Sequence, residues 1–169
     1  RRQSVSRDTL SAGNYTLVIC EKPDAAKRIA ESLCKERLDT LNFGGNEVYV
    51  AEREGVKYVV CSALGHLYTV GDPAQRREIC PVFDIEWFPT HLMEKKLTQV
   101  GRRIDVITEL SKKATEFINA CDFDLEGETI GHNILKYACG GKEKVALRAK
   151  FSTLTHDEFE VIRQAFGSP

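Results

Sequence analysis

No apolar run in these 169 residues approaches the roughly 20 needed to cross a bilayer, which excludes a helical membrane protein. There is no excess of positive charge either: 24 Lys and Arg against 25 Asp and Glu leave a net charge of -1. A protein that grips nucleic acid unaided usually carries a basic face, so any contact with DNA is expected to need help from elsewhere. None of the six cysteines (Cys20, Cys34, Cys61, Cys80, Cys121 and Cys139) has a partner at the spacing of a zinc site. Cys20, Cys61 and Cys121 each end an apolar run, where a thiol acts as a small buried hydrophobe, a pattern suited to a reducing, intracellular compartment. The only methionine is Met93 and the chain opens on Arg1, so a fragment of a longer protein is expected. Neither Gly44-Gly45 nor Gly140-Gly141 has the strand-to-helix spacing of a phosphate-binding loop.

The length and composition, 42% hydrophobic and 29% charged, suit one globular domain with a single core. Residues 1–14 are expected as a Ser- and Arg-rich leader, and 15–169 as the domain. Tyr15 to Cys20 is a strand buried on both faces, followed by Pro23 in the first turn of a helix striped by Ala25, Ala26, Ile29, Ala30 and Leu33. Val48 to Ala51 and Val56 to Cys61 predict a hairpin around Glu54-Gly55. Residues 71–98, with three prolines, predict an irregular excursion packed on the core. Val100 to Leu110 predicts a helix, Phe117 to Cys121 a strand, Ile130 to Ala138 a helix and Val145 to Ala149 a strand. Thr155 and Glu158 form a capping box ahead of a last helix through Phe159, Ile162 and Phe166. Alternating strands and helices imply an α/β fold with a largely parallel sheet covered on both faces.

The chemistry concentrates in Asp122-Phe123-Asp124-Leu125-Glu126-Gly127-Glu128, just past a strand. In extended backbone Asp122, Asp124 and Glu126 project to one side, and such crowding of like charge calls for a cation. Hard oxygen donors at this density suit Mg²⁺. The plainer alternative, that acids favour the start of the following helix, accounts for one or two of them but not four in seven residues. An EF-hand fails because Asn133 stands where that loop needs a bidentate Glu. A haloacid-dehalogenase arrangement fails because its aspartate pair follows the first strand. Glu21 and Lys22 end the first strand, on the side where parallel sheets assemble their sites, and could join the acidic cluster if the two strands are neighbours.

Leu17 to Ile29, then Gly65-His66-Leu67, then Asp122 to Glu128, then Arg148 to Thr155, resemble in content and order the Toprim domain of type IA DNA topoisomerases. The Glu-Lys-Pro opening is similar to that of the archaeal topoisomerase and topoisomerase III branches. The resemblance implies a Rossmann-like Toprim fold, with a mainly parallel four-stranded sheet between helices. It implies Mg²⁺ held by Asp122, Asp124 and Glu126 with Glu21 beside them, Glu21 exchanging a proton with the leaving 3′ oxygen, and Lys22 stabilising the phosphoryl group. His66 and Arg148 would contact the DNA backbone. The implied partners are single-stranded DNA and the remaining domains of a parent topoisomerase, and the fragment is expected as a monomer in the cytoplasm, with the nucleoid. Bacterial members often carry Arg where this chain has Leu125, which puts a phosphate contact there in doubt. None of Tyr15, Tyr49, Tyr58, Tyr68 or Tyr137 lies in a segment resembling the family's nucleophilic tyrosine motif, so the chain alone is not expected to relax DNA. The alternatives left open are a free-standing Toprim nuclease or primase-like enzyme and a non-catalytic docking module.

Overall fold

A computed structural model describes residues 10, 14–34, 37–71, 85–93, 98–150 and 160–162. Strand β1 (Tyr15–Cys20) is buried along its whole length. Its alternating side chains feed two cores, as a strand covered on both faces must. Val18 and Cys20 pack with Ala26, Ile29, Ala30 and Leu33 of helix α1 (Pro23–Leu33). Leu17 and Ile19 face the opposite core, which includes Ile107, Leu110, Ile130 and Ile134. Pro23 pre-sets the first turn of α1, where a missing N–H costs nothing.

Two hairpins follow: β2 (Arg37–Phe43) with β3 (Asn46–Arg53), and β3 with β4 (Val56–Ser62). Each turns through two residues of positive φ, Gly44-Gly45 and Glu54-Gly55, the backbone of the tight turns whose twist matches paired strands. The Glu54-Gly55 hairpin is as expected, whereas β2 has no counterpart in the sequence reading. Strands β5 (Tyr68–Gly71) and β6 (Glu86–Pro89) form a separate small sheet leading into the short helix α2 (Thr90–Met93). These are the described parts of the expected irregular excursion. Helix α3 (Thr98–Ser111), strand β7 (Ala114–Asn119), helix α4 (Leu125–Asn133) and strand β8 (Leu147–Lys150) complete the centre.

The main sheet runs β2-β3-β4-β1-β7-β8-β9, with β9 spanning Glu160–Ile162. Strands β4, β1, β7 and β8 are mutually parallel and supply the expected four-stranded centre. Antiparallel β3 and β2 extend it on one side and β9 on the other. Helix α1 covers one face, and α3 and α4 cover the other.

Three expectations need correction. Strand β7 runs from Ala114 to Asn119 rather than from Phe117 to Cys121, so two loop residues precede Asp122. Helix α4 begins at Leu125, not near Ile130, and passes into a π-helical turn over Ile134–Ala138, closed by the Cys139 N–H on the Ile134 carbonyl at 3.0 Å. Glu160–Ile162 pairs antiparallel with β8 as a strand where a helix was expected. The capping residues Thr155 and Glu158 lie outside the described residues. So do residues 1–9 of the expected leader, although Leu10 within it is buried in the α3-side core.

Among the described residues no helix is long and apolar enough to cross a membrane. Ile29 is fully buried between α1 and the sheet, so Ile29→Ala should lower unfolding free energy by about 2–5 kcal/mol in urea titrations. Leu125→Ala, at an exposed position, should stay within about 0.5 kcal/mol of the parent.

Candidate metal and phosphate site

The carboxyl ends of β1, β4 and β7 lie together because the three strands are parallel neighbours. Glu21 leaves β1 and is only 7% exposed. Its backbone carbonyl accepts from the N–H groups of Leu64 (2.8 Å) and Gly65 (3.3 Å), so the loop after β4 is laced to the loop after β1. That lacing needs positive φ at Leu64 (63°) and Gly65 (90°); Leu64 adopts it although it is not glycine, a strain often found beside functional groups. Arg103 of α3 steadies the same loop, donating from Nη1 to the Ser62 carbonyl (2.8 Å) and hydroxyl (2.9 Å). The sequence offered no sign of this contact, since Arg103 sits on the polar side of an otherwise ordinary helix pattern.

Lys22 joins the two acidic segments. Its Nζ lies 2.7 Å from Asp122 Oδ2 and 3.1 Å from Glu21 Oε1, linking positions 100 apart in sequence. The hydrogen bond to Asp122, then that to Glu21, raises the Lys22 pKa well above its ordinary value. At the alkaline end, the stabilisation from the Lys22 charge is therefore held through the ordinary lysine range and is lost only as pH climbs through that higher value.

The other acids take different directions. Asp124 caps α4, its Oδ1 accepting from the Gly127 N–H at 2.7 Å. Glu126 lies in the first helical turn and meets His66 Nε2 at 3.3 Å. The uniform extended alternation expected for Asp122, Asp124 and Glu126 is thus interrupted by the start of the helix. Glu128 pairs with Arg148 Nε. Arg148, expected on the DNA backbone, is instead 2% exposed and directed into the protein. Its Nη1 donates to the carbonyls of Asn119 (3.0 Å), Cys121 (2.8 Å) and Ala149 (3.0 Å), and its Nη2 to that of Asp122 (2.9 Å).

Glycine shapes this loop as much as the acids do. A Cβ on Gly127 would stand 2.2 Å from the Asp122 carbonyl oxygen, and one on Gly131 2.3 Å from the Asn119 amide. Helix α4 can press against the loop only without those side chains.

Among the described residues no three His, Cys, Asp or Glu side chains close on a single point as a finished metal cage. The donors gathered at the rim are nevertheless hard carboxylate oxygens, and the Lys22 ammonium stands between two of them as the positive charge they require. By donor chemistry the set fits a hard dication that keeps much of its water.

The Toprim domain family matches residues 16–154. This chain belongs to the Toprim family. DNA topoisomerase 1 of Pyrococcus horikoshii is 45% identical to this Toprim chain over 141 residues, 82% of the chain and 20% of that protein. DNA topoisomerase 1 of Methanocaldococcus jannaschii is 44% identical over 154 residues, covering 90% and 19%. DNA topoisomerase 3 of Bacillus thuringiensis is 32% identical over 126 residues, covering 71% and 16%. The Toprim chain spans about a fifth of the length of these curated relatives.

Gly127→Ala should cost about 1–3 kcal/mol in denaturant titrations, because the clashing atoms are backbone and helix α4 must retreat from Asp122. Burial raises the thiol pKa values of Cys20, Cys61 and Cys121, that of Cys61 to about 12. In the native protein at pH 8 these three should react with iodoacetamide at least about tenfold more slowly than after unfolding, as read by mass spectrometry.

Proposed function

We propose that this chain contributes the acidic half of a single-strand DNA cleavage and religation site in a type IA DNA topoisomerase, and that the nucleophilic tyrosine comes from a part of that enzyme outside this chain. The observation that carries the reading is the meeting of Glu21, Lys22 and Asp122 at one end of a parallel sheet, in a chain of the Toprim family.

In this reading Glu21 sits beside the scissile phosphate, gives a proton from its carboxyl to the leaving 3′ oxygen and recovers it on religation. Its burial keeps bulk water from competing for that proton. Lys22, mostly exposed and held between two carboxylates, would stabilise the charge that develops on the phosphoryl oxygens. Asp122, Asp124 and Glu126, with Glu21, would hold Mg²⁺, which when bound neutralises phosphate charge. His66, which touches Glu126, would meet the DNA backbone. With a net charge of -1, the chain is expected to bind DNA weakly and with steep salt dependence, relying on the rest of the enzyme for grip.

The test is calorimetric titration of the chain with Mg²⁺. Binding in about the millimolar range is expected, weakened at least about tenfold by Asp122→Asn or Asp124→Asn. No heat of binding at millimolar metal would sink the proposal. Incubation with single-stranded DNA and Mg²⁺ should give no cleavage. Cleavage that vanishes in Asp122→Ala protein would instead mean that water replaces the tyrosine.

A further inference from the structure

We infer that Arg148 is a positioning residue, which sets the aim of the acidic loop by gripping its backbone from beneath. The inference rests on the reading of Asp122 and Asp124 as metal-binding groups. Of the four carbonyls that Arg148 engages, that of Asn119 closes β7, and those of Cys121 and Asp122 belong to the link between β7 and α4. Its remaining donor, Nε, reaches Glu128 in the first turn of α4. One planar group therefore ties down both the start of the acidic segment and the helix that ends it.

A buried guanidinium is a costly way to hold a loop. Where packing alone is needed, an apolar side chain usually does as well or better, so a charge retained there points to a demand for one particular geometry. Arginine suits that demand because its donors fan out in a rigid plane. Lysine, with one compact head, cannot span the same set of carbonyls. Beside the guanidinium lies a cavity of only about 20 Å³, bordered by Asn119, Glu128, His132 and Glu143, which leaves room for about one water.

Neighbouring contacts act in the same direction. Asn119 Oδ1 accepts from the Cys121 N–H at 3.1 Å, and Gly127 and Gly131 let α4 close on the loop. Arg148 is the cation at the centre of this arrangement.

The experiment compares Arg148→Lys with the parent chain, using amide hydrogen exchange without metal and then Mg²⁺ calorimetry well below the unfolding temperature. Positioning predicts exchange at residues 120–128 at least about tenfold faster while β1 and β4 amides keep their protection, together with a comparable loss of Mg²⁺ affinity. Protection lost evenly across the sheet, with unchanged affinity in the folded protein, would mark a merely structural arginine and overturn the inference. If Arg148→Lys does not fold, Glu128→Gln serves in its place: faster exchange confined to the loop and first turn of α4 supports the role, and unchanged exchange there overturns it. A parent chain that binds no Mg²⁺ but shows the localised exchange response would sink the proposed function and leave the positioning role standing.

Discussion

Carboxylates that repel one another can share a rim only if positive charge is threaded among them, and in this chain the protein supplies it. The ammonium of Lys22 lies against Asp122 and Glu21 at once, bridging the ends of two strands. Everything else in the central sheet serves to bring those two ends level. Because β1 and β7 are parallel and adjacent, their carboxyl termini emerge on the same side, and a short turn after each is enough for contact. An antiparallel pairing would have carried Glu21 and Asp122 to opposite ends of the molecule.

Around that pair the cationic side chains have distinct positions. Lys22 lies at the surface between acids, and His66 borders Glu126 on a partly exposed loop. Arg103 is half-buried against Ser62, and burial lowers its pKa. Arg148 is buried, held by backbone carbonyls and Glu128, with its guanidinium over the Phe123 ring. Solvent exposure thus falls from Lys22 and His66 at the rim to the two arginines that hold backbone in place.

The sequence made the central strands easy to place because they are continuous apolar runs, and it made α1 easy because a proline and a clean apolar stripe coincide. The acidic segment stood out through sheer density of charge. Strand β2 escaped notice because only Leu41 and part of Phe43 pack inward, and its Leu38-Asp39-Thr40 stretch looks like loop. The last described strand, Glu160–Ile162, was mistaken for helix because a capping pattern preceded residues whose pairing partner, β8, lies outside any local window. Within the site, strand ends predicted the meeting of Glu21 and Asp122, yet the inward course of Arg148 was hidden, since burial of a charged residue depends on carbonyls from distant segments.

Strand β2, which borders the main sheet, has a further consequence. A border strand offers unsatisfied peptide groups to any passing chain and can seed fibrous self-association. Here Arg37 and Asp39 form an ion pair at 2.6 Å along that rim, and the neighbouring Thr40 and Asn42 are polar and exposed. A second molecule trying to dock edge to edge would have to strip water from that fringe, so the molecule discourages stacking by the chemistry of its margin rather than by shortening it.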